Sequence, residues 1–365
     1  MQKPFNVRCS LSIATLLGGV LACTILQAQA PDVRGTVKVM TYNLFQGTDF
    51  TEVLQAQNYP EFLGATQLTL NEVKASNPPA RMRAIAHQIA INDPDLVGLE
   101  EVTLWRYGAG QNPTDLLYDP LQEVLDGLKA EDKHYAAVVI ADEYELQGPM
   151  PDFVNFLRAN GRNVILARTD KPELHISNPQ SASFHTLLKI PNAILGEIQI
   201  VRSWGSVDVE LNGQSFVFID THLENPIPQI PASYLLLQAQ AKELSDIPAN
   251  TSLPVILVGD FNAIANDPID PSNATYQEML NLGFADSWLE RGAEKPGLTW
   301  PLMNASTADT ATQRIDFVFH RGLVNARVAD LAGDKKQDRV DSQWPSDHAG
   351  LRVLLQIGAN QGLHR

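Results

Sequence analysis

The 365-residue sequence predicts an α+β sandwich in which both faces of the sheets pack against other layers. Short apolar runs typical of buried strands recur from Val37 to Leu355, and they are interleaved with segments of helical periodicity. Hairpin-like pairs of strands point to antiparallel sheets accompanied by helices. No repeat, Gly/Ser linker or break in composition divides the chain, so one domain is predicted over residues 31–365.

Individual elements follow from local patterns. Asn212-Gly213 separates two apolar runs and is typical of a tight hairpin turn, because both residues tolerate positive φ. In the helix predicted at Arg81–Ile91, His87 falls off the apolar face and is expected in solvent. Residues 47–80 are polar, contain three prolines, and are interpreted as a long insertion or irregular excursion. The other predicted helices are Tyr234–Ile247 and Thr275–Leu282, and the predicted strands are Val37–Leu44, Leu96–Leu99, Tyr135–Ala141, Val164–Ala167, Val207–Leu211, Ser215–Leu223, Pro254–Val258, Ile315–Phe319 and Leu351–Leu355.

Residues 1–30 have the pattern of a secretory signal peptide. Lys3 and Arg8 precede an apolar stretch, and Ala28-Gln29-Ala30 resembles a cleavage site. The stretch is shorter than the roughly 20 residues of a membrane span, and no later segment is apolar enough to cross. We therefore predict a secreted or periplasmic protein, and the sequence leaves the position of signal-peptide cleavage undecided. Because Val20-Leu21-Ala22-Cys23 resembles a poor lipoprotein box, a lipid-anchored surface form through Cys23 is the alternative.

Cysteine content and charge restrict the chemistry. Both cysteines, Cys9 and Cys23, lie in the predicted leader, so a mature chain would have no disulfide, thiolate metal ligand or cysteine nucleophile. Cleavage after Ala30 would move the formal charge from −15 to −17, because it removes two cations and no anion. Such a protein is repelled by nucleic acid at long range, which argues against a tight DNA-binding module. A nuclease stays open, because bound divalent cations reverse the local field.

Several strands end in oxygen-bearing side chains, the ligands that a hard cation prefers. Asn43 closes the first strand, and Glu100-Glu101 follows a buried run, which places at least one carboxylate at the rim. Asp260 and Asn262 share parity and would point to one side of an extended chain. The alternatives are a solvated acidic pair at Glu100-Glu101 and an Asx-turn at Asp260-Phe261-Asn262.

Two histidines lie in similar positions. His222 ends an alternating strand, and its alternative interpretation is a core histidine bonded to Asp220. Ser346-Asp347-His348 precedes the last predicted strand, and Asp316 lies at the start of the strand before it. An Asp-His pair can align a water, and a second Asp can hold the imidazole in one tautomer.

Seven short stretches, in order, resemble the endonuclease/exonuclease/phosphatase superfamily, which has the DNase I-like fold. The resemblance spans about residues 37–355 and implies a four-layer sandwich of two packed mixed β-sheets flanked by helices, with the site at one edge of the sheets. It also implies hydrolysis of a phosphate ester by in-line attack of water. The stretches are Thr41-Tyr42-Asn43, Pro94–Val102, Asn163–Arg168, Thr221-His222-Leu223, Gly259-Asp260-Phe261-Asn262, Arg314–Phe319 and Ser346-Asp347-His348.

The resemblance assigns a metal to part of this set. Glu101, with Asn43 nearby, would hold Mg²⁺, with Mn²⁺ or Ca²⁺ as alternatives, and Asp347 would bind the same or a second ion.

The same resemblance assigns proton transfer and charge stabilisation to the remaining residues. His348, oriented by Asp316, would act in acid–base transfer, and Asp260 would align or deprotonate water. His222 and Asn262 would donate to the pentacoordinate oxygens. Which group is the base stays open.

The predicted function is a secreted, divalent-metal-dependent phosphodiesterase of the nuclease kind. The alternatives are a sphingomyelinase-like phospholipid head-group phosphodiesterase and, after it, an inositol-phosphate phosphatase; a non-catalytic binding protein is disfavoured because no key carboxylate or histidine is missing. Thr221-His222 matches the nuclease and sphingomyelinase branches. A lipid enzyme would show an exposed aromatic-tipped hairpin, for which Trp105-Arg106-Tyr107 and Ser203-Trp204 are candidates unless they are buried. The only partner inferred is the substrate, a nucleic acid or phospholipid head group.

Overall fold

The computed structural model describes residues 35–247, 252–291, 295–302 and 311–358. These residues belong to one structural unit, which runs from Arg34 to Arg365. The predicted signal peptide at residues 1–30, including Cys9 and Cys23, lies outside the described residues, so cleavage and lipid anchoring stay predictions. In the described part of the chain, no helix combines the length and apolar character that a membrane crossing requires.

The described residues form groups of strands and helices, with a short 3-10 helix at Lys336–Asp338. In chain order the elements are β1 (Thr36–Asn43), α1 (Thr51–Gln55), α2 (Tyr59–Ala75), α3 (Pro78–Asn92), β2 (Leu96–Glu100), β3 (Leu104–Ala109), β4 (Leu116–Tyr118), α4 (Pro120–Ala130), β5 (Tyr135–Pro149), β6 (Asn155–Arg168), β7 (Leu174–Ser183), β8 (Leu188–Asn192), β9 (Gly196–Ile200), β10 (Ser203–Leu211), β11 (Gln214–His222), α5 (Ala232–Asp246), β12 (Val255–Asp260), α6 (Asn273–Asn281), β13 (Ala285–Asp286), α7 (Ser287–Arg291), β14 (Asp316–Arg321), β15 (Val324–Ala332) and β16 (Gly350–Ile357).

Two large mixed sheets form the centre of the fold. One has the order β15-β16-β1-β2-β6-β3-β4 with β5 paired to β6, and the other has the order β13-β14-β12-β11-β10-β7. β1 and β2 are parallel, as are β11 and β12, whereas β16 and β14 run antiparallel to their neighbours β1 and β12. The carboxyl ends of four strands therefore lie at the same edges as the amino ends of β14 and β16.

Both faces of each central strand are buried, which explains their nearly continuous apolar sequences. In β12, Ile256 and Val258 face the core between the sheets, while Val255 and Leu257 face the helices on the other side. Helices α3 and α4 cover the outer face of the first sheet, and α5 and α6 cover that of the second. Each fully buried aliphatic side chain contributes on the order of 1.5–3 kcal/mol. The four-layer sandwich that the resemblance implies is confirmed.

The interpretation of residues 47–80 as an irregular excursion is wrong in its local structure. α2 fills half of the segment and buries Phe62, Leu70 and Val73. All three prolines, Pro60, Pro78 and Pro79, occupy the first turns of α2 and α3, where a missing N–H costs nothing. Proline was therefore a start signal here and not a helix breaker.

The confirmed elements include the β10–β11 hairpin, whose turn residues Asn212 and Gly213 have φ of 53° and 76°. His87 is exposed on α3, as expected, and contacts Glu131. The sequence analysis missed edge strands such as β7, because most of its side chains are exposed and polar and give no apolar run.

Candidate active site

All eight predicted site residues lie at one edge of the two packed sheets. Five of them follow the carboxyl ends of strands, as expected. Asp316 is the first residue of β14, and Asp347 and His348 lie in the loop before β16, so these three enter from amino ends. The antiparallel direction of β14 and β16 brings them to the same place.

The carboxylate of Asp260 is the centre of the site. Its Oδ2 lies 3.1 Å from Asn43 Nδ2, 3.5 Å from His222 Nε2 and 3.7 Å from His348 Nε2. Burial, together with the charge of Asp316, raises the pKa of Asp260 to about 7. Gly259 permits this placement, because its φ is 145° and a Cβ there would lie 1.9 Å from the carbonyl oxygen of Thr221.

His348 and Asp316 form a buried pair. His348 Nδ1 lies 3.0 and 3.2 Å from the two carboxylate oxygens of Asp316. Burial alone would lower the pKa of His348, but Asp316, Asp347 and Asp260 outweigh it and raise the pKa well above its usual value. The imidazole therefore holds a proton at Nδ1 for Asp316 and turns Nε2 toward Asp260.

A serine hydroxyl orders the loop that carries His348. Ser346 Oγ donates to the carbonyl oxygen of Asn43 at 2.6 Å and accepts from His348 N at 3.1 Å. The last residue of β1 and the loop that carries His348 are thus joined by one buried side chain.

His222 does not bond to Asp220, so its interpretation as a core histidine paired with that residue is wrong. Its Nδ1 lies 3.0 Å from Arg202 Nη1 and its Nε2 3.1 Å from Asn262 Nδ2. Burial and the neighbouring Arg202 and His348 lower the pKa of His222, which keeps the ring neutral.

Asp260 and Asn262 meet His222 by a different route from the one expected. Residues of equal parity point to one side only in an extended chain, but Asn262 has φ of 49° and its N–H donates to Asp260 Oδ1 at 2.9 Å. The Asx-turn alternative is therefore present, and the turn itself brings the Asn262 amide to His222. Asn262 Nδ2 also donates to the Leu223 carbonyl oxygen at 3.0 Å.

Glu101 and Asp347 offer oxygen ligands at the rim. Glu101 accepts from Asn43 Nδ2 at 3.2 Å and from the Gln46 N–H at 2.8 Å. Burial and the charge of Asp347 raise the pKa of Glu101, because two carboxylates share one region. A hard cation between such groups would relieve this repulsion, so the donor set fits the implied metal. A second set, Asp260, Asp316 and His348, has ligand atoms within 4.8 Å of one another.

Glu100, next to Glu101, points the other way into the space between the sheets. It accepts from Thr41 Oγ1 at 2.6 Å and faces Asp220, and burial together with Asp220 raises its pKa well above the usual range. Gly98 makes room, since a Cβ there would lie 2.3 Å from Asp220 Oδ1. Glu101 follows the end of β2 with φ of 55°, so the chain turns there and its side chain lies in the site while Glu100 lies behind it.

Two buried arginines near the site were not predicted from the sequence. Arg81 donates to the carbonyl oxygens of Leu44, Phe45 and Pro345, and so joins α3 to the segment after β1 and to the loop that carries His348. Arg202 contacts His222 directly. A lone arginine in a polar segment gives no sequence signal, because only the tertiary contacts show that it is buried.

Comparison with known proteins assigns the class. The sequence model of the Endonuclease/Exonuclease/phosphatase family matches residues 40–348, and the chain belongs to this family. This match confirms the family resemblance that seven short stretches of sequence indicated. Members of the family are phosphoesterase hydrolases. No curated protein compared with the chain matches it.

Solved structures support the same fold. An endonuclease/exonuclease/phosphatase family protein from Leptotrichia buccalis C-1013-b superposes with a TM-score of 0.53 at 16% identity, covering 87% of this chain and 98% of that one. A family protein from Bacteroides thetaiotaomicron gives 0.51 at 17%, covering 88% and 98%. Truncated Caenorhabditis elegans TDP2 gives 0.52 at 16%, covering 88% and 97%.

Proposed function

We propose that this phosphoesterase is a secreted, divalent-metal-dependent phosphodiesterase of the nuclease kind. One observation carries the proposal. A buried carboxylate oxygen of Asp260 lies within 3.7 Å of an amide and two imidazoles, and one of those imidazoles is backed by Asp316. This arrangement can orient a water and move protons around a bound phosphate.

The protonation state of each side chain indicates its role in the proposed reaction. Asp260, whose pKa is about 7, is available as a carboxylate at neutral pH to orient and deprotonate water. His348 holds a proton beside Asp316 and can release it from Nε2 to a departing oxygen. His222, Asn43 and Asn262 supply neutral donors for phosphate oxygens, which gain charge in the transition state.

The implied metal fits Glu101, Asn43 and Asp347, with Mg²⁺ favoured and Mn²⁺ or Ca²⁺ as alternatives. When bound, such an ion neutralises charge on phosphate oxygens. Asn43 also bridges Glu101 and Asp260, since its Nδ2 lies 3.2 Å from one carboxylate and 3.1 Å from the other. The amide thereby sets the spacing between the metal-binding and proton-transferring parts of the site.

Among substrates we favour a nucleic acid. Danio rerio TDP2 complexed with a single-strand DNA product has a fold similar to this chain, with a TM-score of 0.50 at 17% identity. The formal charge of −15 opposes long-range attraction to a polyanion, so binding would depend on the local site and its cation.

A lipid substrate is the second candidate, and one observation favours it. The tryptophans expected at a membrane-binding hairpin are not exposed there. Trp105 is buried, and Trp204 packs against the apolar cluster on the outer face of the second sheet. Instead, Phe153 and Val154 lie at the β5–β6 turn and are 68% and 59% exposed. Tyr59 stacks on Phe153 with ring centroids 6.5 Å apart.

The β5–β6 hairpin also projects past the catalytic edge. The pairing of β6 with β2 ends at Leu99–Val164, near the edge that carries the site. Beyond this pair, toward the β5–β6 turn, residues Asn160 to Asn155 of β6 pair with β3 instead. At about 3.3 Å per residue, the turn lies roughly 26 Å along the strand from Asn163. An apolar tip in this position could enter a lipid surface that presents the head group to the site.

A substrate panel tests the proposal. Purified protein is assayed with plasmid DNA, single-stranded DNA, RNA, sphingomyelin vesicles and phosphoinositides, each with Mg²⁺ and with EDTA. Nucleic-acid hydrolysis that requires the metal supports the first candidate, and sphingomyelin turnover with intact plasmid replaces it with the second. N-terminal sequencing of protein recovered from the medium or periplasm tests secretion, and a start at Met1 contradicts it.

A further inference from the structure

Arg202 lies just before β10 and reaches the face of His222 that points away from the site. Its guanidinium Nη1 is 3.0 Å from His222 Nδ1, and its side chain is 12% exposed. An arginine has only N–H donors, stays charged in proteins, and cannot accept a hydrogen bond. His222 Nδ1 must therefore present its lone pair to Arg202.

Two buried carboxylates hold the guanidinium. Glu224 Oε1 lies 3.6 Å from Arg202 Nε, and Glu143 Oε2 lies 3.8 Å from Nη1. Both carboxylate side chains are almost completely buried, and Glu143 is fixed in turn by Asn163 Nδ2 at 3.2 Å. Burial lowers the pKa of Arg202, but the two carboxylates outweigh it and raise the pKa. The cation is thus kept charged against the imidazole.

This contact decides which nitrogen of His222 carries the proton. If Nδ1 accepts, a neutral ring carries its hydrogen on Nε2, the atom that faces Asp260 Oδ2 at 3.5 Å. Asn262 Nδ2 also lies 3.1 Å from Nε2, so each ring nitrogen faces a donor. The charged guanidinium at 3.0 Å binds a lone pair more strongly than the neutral amide, which already donates to the Leu223 carbonyl oxygen at 3.0 Å. The opposite tautomer would set an imidazole N–H against a guanidinium N–H.

We propose that Arg202, braced by Glu143 and Glu224, is a positioning residue that holds His222 as a neutral Nε2–H donor toward the phosphate oxygens. His222 then acts as a hydrogen-bond donor and not as the base, which leaves Asp260 as the group that accepts the proton of water. The role assigned to His222 rests on the proposed function, whereas the tautomer itself does not.

The tautomer is measured directly. In full-length protein labelled with ¹⁵N-histidine, long-range ¹H–¹⁵N spectra should show His222 with an unprotonated Nδ1 and a protonated Nε2. The signals are assigned by their loss in His222→Gln. A protonated Nδ1 in the wild-type protein would overturn the proposal, whatever substrate the enzyme takes.

Variants connect the tautomer to activity. Arg202→Met should release the tautomer preference and lower kcat roughly 10- to 100-fold with little change in KM, the usual effect of losing a residue that orients a working side chain. Arg202→Lys retains the charge and a donor, and should restore part of the tautomer preference and part of kcat. If Arg202→Met does not fold, Arg202→Lys is compared with the wild-type protein instead. Arg158→Met removes a carboxylate-paired arginine on β6 outside the site, and it should change neither the His222 tautomer nor kcat.

Two results separate this inference from the proposed function. If the wild-type protein hydrolyses no substrate in the panel while His222 shows the Nε2–H tautomer, the function fails and the positioning stands. If activity falls in both Arg202 variants while the His222 tautomer is unchanged, Arg202 has a merely structural role and the inference fails.

Discussion

Asp260 and Asp316 stand directly opposite each other in the β12–β14 ladder, and His348 lies between their carboxylates. The imidazole contacts Asp316 through Nδ1 at 3.0 Å and approaches Asp260 through Nε2 at 3.7 Å. The neighbouring carboxylates raise the pKa of His348, while burial and the charge of Asp316 raise the pKa of Asp260. One pair of facing strand residues and one loop histidine therefore place a protonated imidazole beside a carboxylate.

His348→Ala should lower kcat for bis-p-nitrophenyl phosphate roughly 10²- to 10⁴-fold, the range for a positioned acid–base group. Circular dichroism and thermal unfolding should show that the fold persists. His87→Ala is the matched control, because His87 is an exposed histidine paired with Glu131 on the helix side of the first sheet. An equal loss in the control, or full activity in His348→Ala, would reject the site.

Activity should require a divalent cation. Exhaustive chelation should abolish hydrolysis and Mg²⁺ should restore it, because Glu101 and Asp347 form an oxygen donor set at the rim. Glu101→Gln should raise the Mg²⁺ concentration needed for half-maximal activity at least about tenfold. Glu131→Gln, a carboxylate outside the site, should leave it unchanged. Undiminished turnover after chelation contradicts the metal assignment.

The pH profile should fall on the acid side near neutrality. Asp260 works as a carboxylate, and its pKa of about 7 means that protonation removes this form as the pH drops through that value. His348 works as the protonated form, and its raised pKa keeps that proton until the pH is well above the ordinary histidine range. A bound cation will move the acid limb downward. The measurement is kcat/KM against pH, and retention of the same acid limb in Asp260→Asn would refute the assignment.

Salt and surface variants should distinguish the two substrate classes. Nicking of plasmid DNA should fall steeply between low and physiological salt, since binding to a polyanion releases counterions. Phe153→Ser should leave this activity unchanged if nucleic acid is the substrate. Under the lipid alternative, Phe153→Ser should reduce turnover of sphingomyelin vesicles while sparing a soluble diester. The exposed Leu116→Ser serves as the apolar control.

Much of the site was predictable because the relevant residues follow or precede apolar runs. Asn43, Glu101, His222 and Asp260 stand out for this reason, and strand direction then explains why they meet. Arg81 and Arg202 were not predictable, because a buried arginine is defined by what surrounds it. The same holds for Phe153, whose exposure depends on a hairpin that extends beyond its neighbours.

The sequence by itself determined the family, the fold class and the set of ionisable groups, because buried strands, tight turns and strand-end carboxylates leave local patterns. Only the tertiary structure decided how those groups are paired. Asp220 turns to Glu100 and not to His222, and His222 takes Arg202 as its partner instead. The physical reason is that side-chain pairing and burial depend on distances between strands far apart in the chain, and a single sequence does not contain those distances.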